Sequence, residues 1–151
     1  MSEYRIPDAA ALKAMIGMII DNDTQAELKD GDSMDASHVA IFNDADGNIA
    51  ALCACDLSLA ASVGCALSLI PPPTAADMAK SGALNEMAEG NLYEVMNMFS
   101  SLFMDDKSSH LKLTSVVPAG EAPTLEGDPR TALFSLSGGK YAGGMVSFTT
   151  H

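Results

Sequence analysis

Positive charge is scarce in this chain. Eight lysines and arginines stand against twenty aspartates and glutamates over 151 residues, a formal charge of −12. Such a surface repels phosphate backbones and anionic lipid head groups, so neither nucleic acid nor membrane is expected as a partner. Long hydrophobic runs are also missing. The longest, Leu57 to Ile70, is shorter than the roughly 20 residues that cross a bilayer, and Ser58, Ser62, Gly64 and Ser68 interrupt it. No basic region followed by a hydrophobic segment opens the chain: Ser2-Glu3-Tyr4-Arg5 leads straight into a helical pattern, and a cytoplasmic location is expected. Cysteines number three, Cys53, Cys55 and Cys65, an odd count without a second Cys-x-Cys pair or a neighbouring histidine. Buried, reduced thiols are expected, with no metal site.

Hydrophobic residues make up 48% of the sequence, enough to bury one good core, and 151 residues are too few for two ordinary domains. Residues 1–151 are expected to form a single domain. After Pro7, Leu12, Met15, Ile16, Ile19 and Ile20 recur at helical spacing and predict a helix over Asp8 to Ile20. The acidic stretch Asp21 to Ser37 is irregular or a short strand. Val39 to Phe42 and Ile49 to Cys55 predict a hairpin around the turn Asn43 to Asn48. Asp56 is placed to cap a helix reaching Ile70, where Pro71-Pro72-Pro73 stops it. Thr74 with Asp77 resembles a capping box for a further helical region, bent at Gly82 or Gly90 and running to about Met104. Strands are predicted at Leu111 to Val117, Thr131 to Leu136 and Met145 to Thr149. Helices in the first two thirds with strands at both ends indicate an α+β fold, a sheet with helices packed on it.

The segment Asn91-Leu92-Tyr93-Glu94-Val95-Met96-Asn97-Met98-Phe99-Ser100-Ser101 carries the chemistry. At about 100° per residue, Leu92, Val95, Met96, Phe99, Leu102 and Phe103 form one core-facing stripe. Glu94 and Asn97 lie together on the opposite side with Gly90 and Ser101, flanked by Met87 and Met98. A partner approaching that side meets an acid and an amide in a shallow groove floored by small residues, with adaptable methionines alongside.

On spacing alone, a Glu-x-x-Asn pair is an ordinary solvated helix face. The order of elements adds to it: a hairpin, the helix from Asp56, the connector, the helix with Glu94-Val95-Met96-Asn97, then a strand into Val116-Val117-Pro118-Ala119-Gly120. Over residues 38 to 150 this order resembles the CheX/CheC/FliY family of chemotaxis phosphatases. The resemblance implies a CheC-like fold, an antiparallel sheet with long helices on one face. It also implies dephosphorylation of the aspartyl-phosphate of a CheY-like response regulator, with Glu94 and Asn97 as catalytic residues and Gly90, Met87, Met98 and Ser101 as partner contacts. No cofactor of its own is implied, since the Mg²⁺ belongs to the regulator. The first helix holds no Glu-x-x-Asn, which matches the single-site CheX branch, and relatives in that branch pair as homodimers. Gly90 stands where the family favours Asp or Ser, which keeps open an alternative: a catalytically silent protein of this fold that binds a regulator or signalling partner.

Other signals point elsewhere. Asp44, Asp46 and Asn48 alternate as in a calcium loop, but Ile49 and Cys55 occupy the positions that require glycine and glutamate. Gly138 to Gly144 lacks phosphate-loop spacing and is expected to be a glycine-rich hairpin. His38, His110 and His151 are isolated in sequence, and Glu86 and Glu89 are expected on a solvated face.

Overall fold

The computed structural model describes residues 3–31 and 34–151. Ser2 and two residues of the acidic stretch, Asp32 and Ser33, therefore lie outside the described residues. Helix α1, Ala9–Ile19, starts where the Asp8 carboxylate accepts the Ala11 N–H at 2.8 Å, and it buries Leu12, Ile16 and Ile19. Strand β1, Gln25–Lys29, follows within the acidic stretch. The hairpin is β2, Ala36–Asn43, with β3, Ile49–Asp56. In its turn, one Asp44 oxygen accepts the N–H groups of Asp46 and Asn48 at 2.9 and 3.0 Å. That carboxylate organises the turn's own backbone.

Strand β3 runs directly into α2, Leu57–Ala66, whose first turn is capped by Asp56 accepting from Leu59 N–H at 2.9 Å. The helix closes earlier than Ile70. Ile70 N–H donates to Cys65 O at 2.9 Å and Leu69 N–H to Ala66 O at 3.1 Å, with Leu69 at φ +58°. This is the Schellman pattern that ends a helix through a left-handed residue. Helix α3, Pro72–Ser81, then begins on the prolines themselves, because a first turn has no use for their missing N–H groups. Pro71 is the capping position and makes no side-chain bond, so the Thr74–Asp77 capping box is not formed. Gly82, at φ +89°, ends α3. Helix α4, Glu86–Phe99, opens on Asn85, which accepts from Ala88 N–H at 2.8 Å, and passes Gly90 without a break. A 3-10 turn, Ser100–Phe103, completes it.

Strands β4, Lys112–Pro118, β5, Arg130–Ser137, and β6, Gly144–Thr150, complete one antiparallel sheet of six strands in the order β1-β5-β6-β3-β2-β4. The fold is α+β, as the pattern of elements predicts. Alternate residues Ala51, Cys53 and Cys55 of β3 and Val146 and Phe148 of β6 face one continuous core shared with all four helices. The three cysteines are free and buried, and burial pushes the Cys53 and Cys55 thiols up. Aromatic rings link helix to sheet: Phe103 lies 5.5 Å from Phe42 and 5.6 Å from Phe148, and Phe99 lies 5.8 Å from Phe148. The Gly138 to Gly144 segment is the β5–β6 hairpin. It packs so tightly on the start of α2 that a Cβ at Gly144 would sit 2.6 Å from the Leu59 nitrogen.

Candidate functional site

The stripe predicted for α4 is buried throughout: Leu92, Val95, Met96, Phe99, Leu102 and Phe103 are all at 5% exposure or less. Its target differs along the length. The aromatic end meets the sheet, whereas the first half crosses α2, where a Cβ at Gly64 would come within 2.8 Å of Ala88 O. Two side-chain links fix the helix laterally. On one flank, Asn91 donates to Gly64 O at 2.8 Å and to Ser68 Oγ at 2.7 Å. On the other, His38 Nε2 of β2 meets Glu89 Oε1 at 3.0 Å, and His38 Nδ1 meets Ser37 Oγ at 2.7 Å. His38 is therefore not isolated and Glu89 is not merely solvated. Their separation of 51 positions hides the pair from any local spacing rule.

Between these flanks, Glu94 and Asn97 project into solvent one helical turn apart. Neither side chain makes a hydrogen bond or ion pair with any described residue. Gly90, Met87 and Ser101 share the exposed face, so five of the six predicted residues come together. Met98 does not fully join them. It falls on the margin of the face beside Asn91 and is half-buried against the core. Nor is there a groove at Gly90, since an added Cβ there meets nothing within 4 Å. The surface is an open ridge that leads, at Ser101, into a cavity of about 580 Å³ lined also by Arg5, Met104, Asp105, Asp106 and Lys107.

Tyr93 belongs to the same ridge and was not anticipated. It is 40% exposed, one turn before Asn97 and three residues after Gly90. An aromatic ring interrupting a polar face was the available signal. The ridge holds Glu86, Glu89 and Glu94 and no basic residue of α4. Among the described residues, no group of three or more His, Cys, Asp or Glu is placed to hold a metal ion. With free acid and amide groups on a rigid support, the arrangement can enter another molecule's site or grip its surface.

One solved structure with this architecture is the FliM middle domain from H. pylori, at a TM-score of 0.54 over 94% of this chain and 84% of that one. The chain is similar to it in fold. Identity is 7%, so the likeness extends to the architecture alone, a CheC-like fold with an antiparallel sheet and helices on one face. No family model matches the sequence, and no curated protein matches it. No helix among the described residues is long and apolar enough to cross a membrane.

Proposed function

We propose that this chain is a CheX-like phosphatase acting in the cytoplasm on the aspartyl-phosphate of a CheY-like response regulator. The observation that carries the reading is the pair Glu94 and Asn97, exposed and unpartnered at mid-helix, on an element whose opposite face is locked into the core. A surface pair of this kind is satisfied by water and stays open to a partner. One meant to enter another protein's site has to be free, and must sit on a support that does not yield.

In the proposed reaction, the regulator's Mg²⁺ neutralises the phosphoryl oxygens, which leaves positioning as the main task. Asn97 orients the attacking water, because a carboxamide both donates and accepts without a charge that would repel phosphate. Glu94 pairs with a lysine of the regulator and holds the insertion in register. The test is phosphate release from a panel of phosphorylated receiver domains, with and without the protein.

A second reading is kept open by Gly90, which stands where the resembled family favours Asp or Ser. The protein would then bind a regulator or signalling partner without hydrolysing it. Binding to receivers with no acceleration of phosphate release supports this reading over the first. Pairing as a homodimer is a further proposal, since β1 and β4 are the outer strands of the sheet among the described residues and Leu28 on β1 is 61% exposed. A monomeric mass by light scattering counts against it.

A further inference from the structure

The turn after α2 contains a residue that the fold does not explain. Leu69 sits at φ +58°, the left-handed position of the Schellman closure, where glycine is the ordinary occupant because a Cβ is disfavoured there. Its side chain is largely solvated: Leu69 is 80% exposed, the largest exposure of any large hydrophobic residue among the described residues. A strained backbone and a solvated leucine in one residue both oppose stability; backbone outliers cluster at active sites and ligand clamps, and exposed apolar side chains that group together mark interaction surfaces.

Its place in the fold indicates which partner. Ser68 accepts the Asn91 amide at 2.7 Å, which fixes the turn against α4 one helical turn from Glu94. Leu67 precedes Ser68 and is 38% exposed, while Met87, four residues before Asn91, is 56% exposed. Exposed apolar residues thus occur both on the turn that Asn91 ties to α4, Leu67 and Leu69, and on α4 itself at Met87, beside the Ala88 that α2 crosses. The adjoining ridge bears Glu86 and Glu94 and no basic residue of α4, so a second copy of this chain would bring like charges together. The complementary surface is apolar with a basic rim.

We infer that Leu69, with Leu67 and Met87, is a docking pad that anchors the receiver domain whose phosphoryl group Asn97 addresses, against a face of that domain carrying lysine or arginine around an apolar patch. This rests on the functional reading above. Leu69 is a positioning residue, since an alkyl side chain has no group that could act on the phosphoryl oxygens or the attacking water.

The experiment titrates the full chain and its Leu69→Gly and Leu69→Ala variants against receiver domains carrying a stable phosphoryl mimic, and records melting temperatures alongside. Burying a leucine on docking predicts a loss of affinity of about tenfold or more for both variants. Leu69→Gly should melt at the same temperature or higher, because the left-handed strain is relieved. Steady-state phosphate release should show a raised KM with kcat retained. If wild type binds a receiver and both variants bind it equally well, the pad is wrong and the phosphatase reading stands. A lower melting temperature for Leu69→Gly would show that Leu69 serves the fold, and overturns the pad likewise. If wild type binds no receiver in the panel, the functional reading and the pad are both overturned.

Discussion

Replacing Gly64 with alanine tests how the site helix is held. In an exposed mid-helix position the change would stabilise by about 0.5–1 kcal/mol, since glycine loses more backbone freedom on folding. Gly64 is not exposed. Its added Cβ would lie 2.8 Å from Ala88 O and 3.2 Å from Ala88 Cβ, and the first of these atoms is α4 backbone that cannot rotate away. Overpacking costs about 1–3 kcal/mol, and the backbone contact puts this case towards the upper end. Shifting α4 also strains the Asn91 bond to Gly64 O. The net expectation is a loss of about 1–2 kcal/mol, or roughly 2–8 °C in melting temperature for a chain of this size. Gly90→Ala provides the opposite case. It lies in the same layer with nothing within 4 Å and should gain about 0.5–1 kcal/mol. Urea unfolding followed by circular dichroism measures both. Equal stabilisation by the two substitutions would show that α2 and α4 do not cross through backbone contact, and the placement of Glu94 and Asn97 would have to be redrawn.

Asn85→Ala removes the α4 cap to Ala88 N–H and should cost about 1 kcal/mol in the same assay, with Asn85→Ser restoring most of it. Asp56 has its pKa raised, chiefly by burial, with the Leu59 and Met145 N–H groups opposing the shift. Protonation therefore favours the folded state: the contribution is full below the ordinary value of about 4 and is lost as pH rises through the folded value. Asp56→Asn keeps a capping oxygen without the charge, so stability at pH 7 should be equal or higher, and the decline with rising pH above 4 should flatten. A substantial loss at pH 7 would refute this.

The core stripe of α4 and the alternating strands could be read from sequence because periodicity reports burial directly. The boundaries depended on backbone chemistry that periodicity does not register. Gly82 and Gly90 look equivalent in sequence, but only Gly82 is at a helix end needing a left-handed residue. The run of prolines looked like a stop, but α2 has already closed through Leu69 before reaching them, and they are the start of α3. Glu94 and Asn97 were legible as an exposed pair, whereas the His38–Glu89 link and the Asn91–Ser68 link join residues distant in sequence. Leu69 was the least visible, since a leucine in a glycine position shows itself only once the turn is built.

The central claim is that Asn97 acts on a receiver's phosphoryl group while Glu94 holds the complex. It is tested most directly by measuring phosphate release and affinity together for wild type, Asn97→Ala and Glu94→Ala with one phosphorylated receiver domain. Asn97→Ala should lose about 10²-fold in rate with affinity nearly intact, as expected for a misplaced nucleophile. Glu94→Ala should weaken association first, and high salt should diminish that effect only in part, because a pair partly desolvated on docking is incompletely screened. Equal and small effects of both substitutions on both quantities would make Glu94 and Asn97 solvated bystanders and would contradict the claim.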